Sequence, residues 1–109
     1  MRFVSWNVNG IRAAIRKGID AYFDAFDADI IMLQEVRALP EQLPKDWDWP
    51  ESYQTHLHCA EKKGYSGVAT LSRSGFERIE TGMAGTVDEG DTEGRILVTE
   101  HQGFTCINT

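Results

Sequence analysis

The chain has 109 residues, the length of one ordinary domain, and 41% of them are hydrophobic and 26% charged. This composition is typical of a globular protein and argues against a disordered, collagen-like or disulfide-stabilised chain. The formal net charge of -6 argues, taken alone, against DNA as a partner, because nucleic-acid-binding proteins usually carry a basic surface.

The first third of the sequence predicts a parallel β-α-β unit. Residues Phe3–Val8 alternate in polarity as a strand does, and the Asn9-Gly10 pair predicts a turn. Apolar residues then recur at helical spacing, and a second short helix is predicted with Asp20 as its N-cap. Residues Ile30–Leu33 form the short continuous apolar run of a strand covered on both faces. Strand, helix and strand in this order predict an α/β layered fold.

The remaining sequence predicts a loop followed by β structure. All three prolines fall in one stretch with Trp47 and Trp49, which we expect to anchor the loop against the core; base-stacking platforms are the alternative. Five strands follow: Tyr53–His58, Gly67–Ser72, Phe76–Glu80, Arg95–Glu100 and Phe104–Asn108. We expect the chain to be cut inside the last of these strands.

The spacing of the cysteines and the length of the apolar segments indicate the cellular compartment of the protein. Cys59 and Cys106 are far apart and in no CxxC pattern, so we expect two buried reduced thiols. No apolar run is long enough to cross a bilayer, and strand-like sequence follows Met1 at once, without the pattern of a signal peptide. We therefore expect a cytoplasmic protein with no membrane partner.

Two polar residues stand where the two predicted parallel strands end. Asn7 is near the end of the first strand and Glu35 follows the second. Ligands of open α/β sheets bind outside the carboxyl ends of the strands, so these side chains should converge. A carboxylate and a carboxamide are hard oxygen ligands that suit Mg²⁺ and suit zinc or copper poorly. From spacing alone, a turn-capping asparagine beside an exposed acid remains open as the alternative.

Four motifs resemble, in order, those of exonuclease III. They are Ser5–Arg12, Ile31–Glu35, Gly64–Arg73 and Glu93–Arg95. That family comprises the class II apurinic/apyrimidinic endonucleases, within the endonuclease/exonuclease/phosphatase superfamily. The resemblance implies the N-terminal half of a four-layer α/β sandwich of the DNase I-like type, with a mixed β-sheet and flanking helices. It also implies that residues 1–109 form one portion of a larger domain, without separate domains of their own.

The resemblance assigns roles to the two strand-end residues. Glu35 matches the family's metal-binding glutamate, which holds a divalent ion, usually Mg²⁺ or Mn²⁺. Asn7 matches the asparagine that orients the metal and the catalytic groups. Asn9 stands where some relatives have aspartate, and Arg37 replaces the lysine common in relatives, which keeps the charge but changes the hydrogen-bond geometry.

The resemblance also assigns DNA contacts. Arg12, Ala13 and Lys17 fall where the family grips DNA phosphates, and Gly64 and Tyr65 match a turn that contacts phosphate. Arg95 matches a further motif position, where an ordinary surface arginine is an equally simple interpretation.

The reaction implied by the resemblance is metal-dependent hydrolysis of DNA phosphodiesters in base excision repair. It comprises incision 5′ to an abasic site, 3′→5′ exonuclease activity and 3′-phosphatase activity on double-stranded DNA. The family's aspartate-x-asparagine and serine-aspartate-histidine motifs and its active-site tyrosine are absent from these 109 residues. We therefore expect this chain alone to be inactive, the full-length enzyme to be a monomer, and the isolated chain to self-associate through open sheet edges.

Two other functions are compatible with parts of the sequence. A superfamily phosphatase or phosphodiesterase acting on inositol phosphates, sphingomyelin or nucleotides would share Glu35, whereas Arg12 and Lys17 favour DNA. Residues Glu89–Glu100 nearly fit a twelve-residue calcium loop, but that loop needs a helix on each side, and the flanking sequence is glycine-broken or β-branched.

Overall fold

The computed structural model describes residues 1–82 and 93–109. In chain order its elements are β1 (Phe3–Asn7), α1 (Ile11–Arg16), α2 (Ile19–Phe26), β2 (Ile30–Gln34), a 3₁₀ turn (Pro40–Gln42), β3 (Gln54–His58), β4 (Val68–Ser72), β5 (Arg78–Thr81), β6 (Leu97–His101) and β7 (Phe104–Asn108). Helices and a mixed sheet confirm the α/β class predicted from the sequence. None of the helices in these two ranges is long and apolar enough to cross a membrane.

The first sheet has the strand order β1-β2-β4-β3. β1 and β2 run parallel with Asn7 opposite Gln34, which confirms the predicted β-α-β unit. β4 pairs antiparallel with both β2 and β3, so the sheet is mixed. Because β1 and β2 are parallel neighbours, Asn7 and the residue that follows Gln34 lie next to each other at the carboxyl ends of these strands.

One face of this sheet packs on the two helices and the proline-containing loop. Its core includes the fully buried side chains Ile11, Ile31, Leu33, Val36 and Leu71. Trp47 and Trp49 pack against this core, with their rings 5.0 Å apart, so the prediction that they anchor the loop is confirmed.

The start of α2 differs from its sequence prediction. Gly18, rather than Asp20, is the N-cap residue, and its backbone φ of 87° is left-handed. The chain reverses between two helices separated by only two residues, and glycine adopts the required conformation without a steric cost. Asp20 instead lies in the first turn of α2, where its carboxylate accepts a hydrogen bond from the indole nitrogen of Trp47.

The second sheet has the order β5-β6-β7 and is antiparallel. It contacts β2 and β4 of the first sheet, and Phe104 packs edge-on against Phe3 at a centroid distance of 5.4 Å. Cys106 is buried, as expected, on the same face of β7 as Asn108, whereas Cys59, which directly follows β3, is only partly buried. Neither cysteine forms a disulfide.

The calcium-loop candidate Glu89–Glu100 lies partly outside the described residues, because positions 83–92 are not among them. Its last four residues belong to β6. A helix would be required there, so the described part does not have the helix-loop-helix setting of a calcium-binding hand.

Candidate metal and phosphate site

Glu35 occupies the first position after β2 with a left-handed backbone φ of 51°. This conformation is uncommon for residues other than glycine and requires support from the surroundings. Gly10 N donates a hydrogen bond to the Glu35 carbonyl (2.8 Å), and Ile11 N donates to the Val36 carbonyl (2.9 Å). Val36 N in turn donates to the Gly67 carbonyl (3.0 Å). The backbone that presents Glu35 is therefore fixed by the turns that follow β1 and precede β4.

The structure brings Asn7 and Glu35 into direct contact, as predicted from the strand order. Asn7 Nδ2 donates a hydrogen bond to one carboxylate oxygen of Glu35, and Arg37 forms an ion pair with the other oxygen. Asn7 Oδ1 accepts a hydrogen bond from the backbone nitrogen of Asn9 (2.9 Å). Asn7 thus caps its turn and holds the carboxylate at the same time, so the capping interpretation and the site interpretation are compatible.

The surroundings of Glu35 favour its ionised form. The hydrogen bond from Asn7 holds the pKa of the Glu35 carboxyl below its ordinary value, and the charges of Arg37 and Arg95 act in the same direction. These effects outweigh desolvation, which acts in the opposite sense. Glu35 is therefore a carboxylate at neutral pH, the protonation state that a cation requires.

The carboxylate faces an open cleft of about 400 Å³. The cleft is lined by Asn7, Gln34, Glu35, Ser66, Val68, Arg95 and Thr109. The Glu35 side chain keeps 39% of its surface exposed. A solute can therefore reach the carboxylate directly.

The donor set fits a hard divalent ion. The described ranges contain no group of three or more histidine, cysteine, aspartate or glutamate side chains that could enclose a metal. Mg²⁺ in proteins usually keeps several waters and is bound through one or two carboxylates together with substrate phosphates. One exposed carboxylate beside a carboxamide, in an open cleft, matches that kind of site better than a closed zinc or calcium site.

Arg95 lines the cleft and holds Tyr65 beside it. Arg95 Nη2 donates a hydrogen bond to the Tyr65 hydroxyl (2.8 Å), and the guanidinium carbon lies 5.3 Å from the centre of the tyrosine ring. The ammonium group of Lys62 lies 5.8 Å from the same ring centre. Gly64, with φ of 71°, has open space around the position of a side chain, so the backbone of this turn is accessible.

The residues in and just after α1 that were predicted to contact phosphate do not share one cavity. Arg12 donates from Nη2 to the Arg37 carbonyl (3.4 Å), which places it next to the turn that presents Glu35. Ala13 and Lys17 line a different cavity of about 340 Å³ together with Trp6 and Tyr22. Arg12 and Lys17 are both exposed. The residues predicted to contact phosphate are thus divided between the turn that presents Glu35 and a separate cavity beside Trp6 and Tyr22.

Gln34 and Ser66 line the cleft but were not predicted as site residues. Gln34 stands inside the Ile31–Glu35 motif, and its position next to Glu35 was the available signal. The Ser66 carbonyl accepts a hydrogen bond from Arg37 N (2.7 Å), a long-range backbone contact that spacing along the chain does not indicate.

Comparison with known proteins agrees with the motif resemblance. Residues 4–105 match the Endonuclease/Exonuclease/phosphatase family. The chain is 40% identical over 103 residues to an exodeoxyribonuclease of Bacillus subtilis, covering 94% of this chain and 39% of that protein. It is 31% identical over 109 residues to a DNA-(apurinic or apyrimidinic site) endonuclease of Dictyostelium discoideum, covering all of this chain and 29% of that protein.

Solved structures extend the agreement to the fold. The Xenopus laevis APE2 catalytic domain superposes with a TM-score of 0.76 at 31% identity, covering 98% of this chain and 42% of that one. A 3′-5′ exonuclease from Neisseria meningitidis superposes with a TM-score of 0.81 at 24% identity, a likeness of fold that covers all of this chain and 41% of that one. The chain therefore spans well under half the length of these similar proteins.

Proposed function

This chain belongs to the Endonuclease/Exonuclease/phosphatase family, and from that premise we propose that it supplies the metal-binding part of a DNA-repair nuclease. The observation that carries the proposal is the ionised, exposed carboxylate of Glu35, held by Asn7 at the carboxyl ends of two parallel strands. The relatives, an exodeoxyribonuclease and an abasic-site endonuclease, support DNA as the substrate.

In this proposal Glu35, with Asn7 beside it, holds Mg²⁺ or Mn²⁺. The bound ion would supply Lewis-acid stabilisation of phosphate charge and a water of lowered pKa. Asn7 orients the carboxylate through its Nδ2 hydrogen bond, and Arg37 restrains the second oxygen. Both contacts place the metal-binding group before substrate arrives, which reduces the reorganisation needed for catalysis.

Groups beside the Glu35 turn, at the end of α1 and in the turn before β4 would bind the DNA backbone. Arg12 lies beside the Glu35 turn, Lys17 stands at the end of α1, and Gly64 and Tyr65 form the accessible turn next to Arg95. Phosphate contacts of this kind position a duplex without reading its sequence. The acidic net charge does not oppose this arrangement, because screening limits the reach of surface charges to about 10 Å at ordinary ionic strength.

The proposed substrate is double-stranded DNA with abasic sites or 3′ ends, cleaved by phosphodiester hydrolysis. The family's reaction also uses an aspartate-x-asparagine motif, a serine-aspartate-histidine motif and an active-site tyrosine. This sequence contains none of the three. We infer that these 109 residues do not incise DNA by themselves. Purified chain incubated with abasic duplex and Mg²⁺ should leave the duplex intact; incision at a rate above that of a mock purification would contradict this inference.

Mn²⁺ binding tests the metal site directly. Free Mn²⁺ is measured by electron paramagnetic resonance during titration of the wild type, of Glu35→Gln and of the matched control Glu51→Gln, which changes an exposed glutamate in the loop. Wild type and control should bind one ion with the same affinity, and Glu35→Gln should lose that site. Equal binding by all three proteins would reject Glu35 as the metal ligand.

DNA binding tests the second half of the proposal. Fluorescence anisotropy of a labelled abasic duplex is measured at several salt concentrations for wild type, Lys17→Ala and Lys45→Ala, a control at an exposed loop lysine. Loss of one phosphate contact in Lys17→Ala should reduce the slope of log affinity against log salt by about 1. The control should keep the wild-type slope; a slope unchanged in both variants would remove Lys17 from the phosphate contacts.

A further inference from the structure

Asn108, at the end of β7, inserts its side chain into the other sheet. Its side chain is 1% exposed. Nδ2 shares its two hydrogens among three acceptors: the Leu33 carbonyl (3.2 Å), the Ala69 carbonyl (2.9 Å) and the Thr70 hydroxyl (3.2 Å). Leu33 and Ala69 form the last pair of the β2–β4 ladder. Asn108 therefore hydrogen-bonds to the end of this strand pair, next to the position where Glu35 follows β2.

The same side chain holds Gln34. Asn108 Oδ1 accepts a hydrogen bond from Gln34 Nε2 (2.9 Å), which also reaches the Ser5 hydroxyl (3.0 Å) and the Met32 carbonyl (3.2 Å). Backbone carbonyls only accept hydrogen bonds, so the carbonyls around Asn108 and Gln34 fix which end of each amide is nitrogen. The contact between the two amides is therefore a correctly oriented donor–acceptor pair.

We propose that Asn108 is a positioning residue for the metal-binding carboxylate, acting through Gln34. This inference rests on the proposed function of Glu35. Gln34 lines the cleft and directly precedes Glu35, and its carbonyl accepts a hydrogen bond from Val8 N (3.0 Å). Hydrogen bonds restrain the Gln34 backbone at the end of β1 and its side chain at β7, and this restraint supports the left-handed backbone of Glu35.

The hydrogen bonds of Asn108 divide into two groups with different consequences. Those from Nδ2 join the two sheets and contribute to stability. The one accepted by Oδ1 restrains the residue next to the metal ligand. Residues that orient a metal ligand typically change metal affinity when mutated, whereas loss of a remote buried hydrogen bond lowers only the free energy of unfolding.

The test compares Mn²⁺ affinity with stability. Mn²⁺ dissociation constants, the electron paramagnetic resonance line shape of bound Mn²⁺ and urea midpoints are measured for wild type, Asn108→Ala, Gln34→Ala and the double variant. Thr70→Val is the control, because it removes one Nδ2 acceptor and leaves the Gln34 contact in place. Asn108→Ala and Gln34→Ala should each weaken Mn²⁺ binding on the order of 10-fold, with an altered line shape.

The affinity losses should be coupled. The Mn²⁺ dissociation constant of the double variant should equal that of the single variant with the lower affinity, because both changes break the same hydrogen bond. Thr70→Val should lower the urea midpoint and keep the wild-type dissociation constant. Should Asn108→Ala fail to fold, Gln34→Ala, at a partly exposed position, decides the question by its Mn²⁺ affinity.

The outcomes separate this inference from the proposed function. Mn²⁺ binding that depends on Glu35 but is unchanged in folded Asn108→Ala or Gln34→Ala would overturn the positioning role alone. Mn²⁺ binding that does not depend on Glu35 would overturn the proposed function, and the positioning role with it.

Discussion

Gly94 offers the sharpest test of how the loop before β6 packs against the turn that follows β3. It is buried and has a backbone φ of 62°. A Cβ atom at this position would lie 2.5 Å from the backbone nitrogen of Ala60 and 2.5 Å from the carbonyl carbon of Cys59. Both contacts are with main-chain atoms, which cannot move aside as a flexible side chain can.

The cost of Gly94→Ala has two parts. A left-handed backbone costs a residue other than glycine about 1–2 kcal/mol. Forcing a methyl group into a filled space costs a further 1–3 kcal/mol, roughly. We therefore expect the free energy of unfolding to fall by about 2–5 kcal/mol, a large part of the total of about 5–15 kcal/mol that small proteins have.

Gly103→Ala is the matched control for the backbone term. Gly103 has a φ of 90°, and nothing lies within 4 Å of its Cβ position. Equilibrium urea unfolding followed by tryptophan fluorescence measures both variants. Gly94→Ala should lose more stability than Gly103→Ala, and the excess is the steric contact with the segment after β3. Equal losses would refute the close packing of Gly94 on Cys59 and Ala60.

Three further predictions concern packing, acid stability and association. Leu33→Ala, at a fully buried position, should lower the free energy of unfolding by about 2–5 kcal/mol in the same assay. The hydrogen bond from Arg73 lowers the pKa of Asp27, so their ion pair stabilises the fold above a pH of about 4 and is lost on acidification. The urea midpoint of Asp27→Asn should therefore fall less steeply below that pH than the midpoint of the wild type. The same pH dependence in both proteins would contradict this prediction. Sedimentation velocity should show concentration-dependent self-association, because β1 and β3 are the outer strands of their sheet in the described ranges; a strict monomer would contradict it.

The sequence predicted the features of the site that depend on local pattern. The apolar run of β2 and the alternation of β1 identified two adjacent parallel strands, and parallel strands bring their carboxyl ends together. The contact between Asn7 and Glu35 follows from this topology. The membership of the family followed from four motifs in order, which the family match over residues 4–105 confirms.

The features that the sequence did not predict depend on long-range contacts or on backbone geometry. Asn108 and Gln34 are 74 positions apart, and no periodicity relates a residue of one sheet to a neighbour in the other. The predicted N-cap of α2, Asp20, is wrong. Aspartate is generally preferred over glycine at that position, but this turn requires the left-handed backbone of Gly18. The ion pair between Arg37 and Glu35 was also not predicted; Arg37 lies two residues after Glu35, and both have a positive φ, which the sequence does not indicate.

Anomalous X-ray scattering from a crystal grown with Mn²⁺ and a short abasic duplex would locate the metal ion relative to Glu35. We expect an anomalous peak bonded to a carboxylate oxygen of Glu35, with a DNA phosphate near Arg12. A Mn²⁺ peak bonded elsewhere, with the Glu35 carboxylate still held only by Asn7 and Arg37, would contradict it.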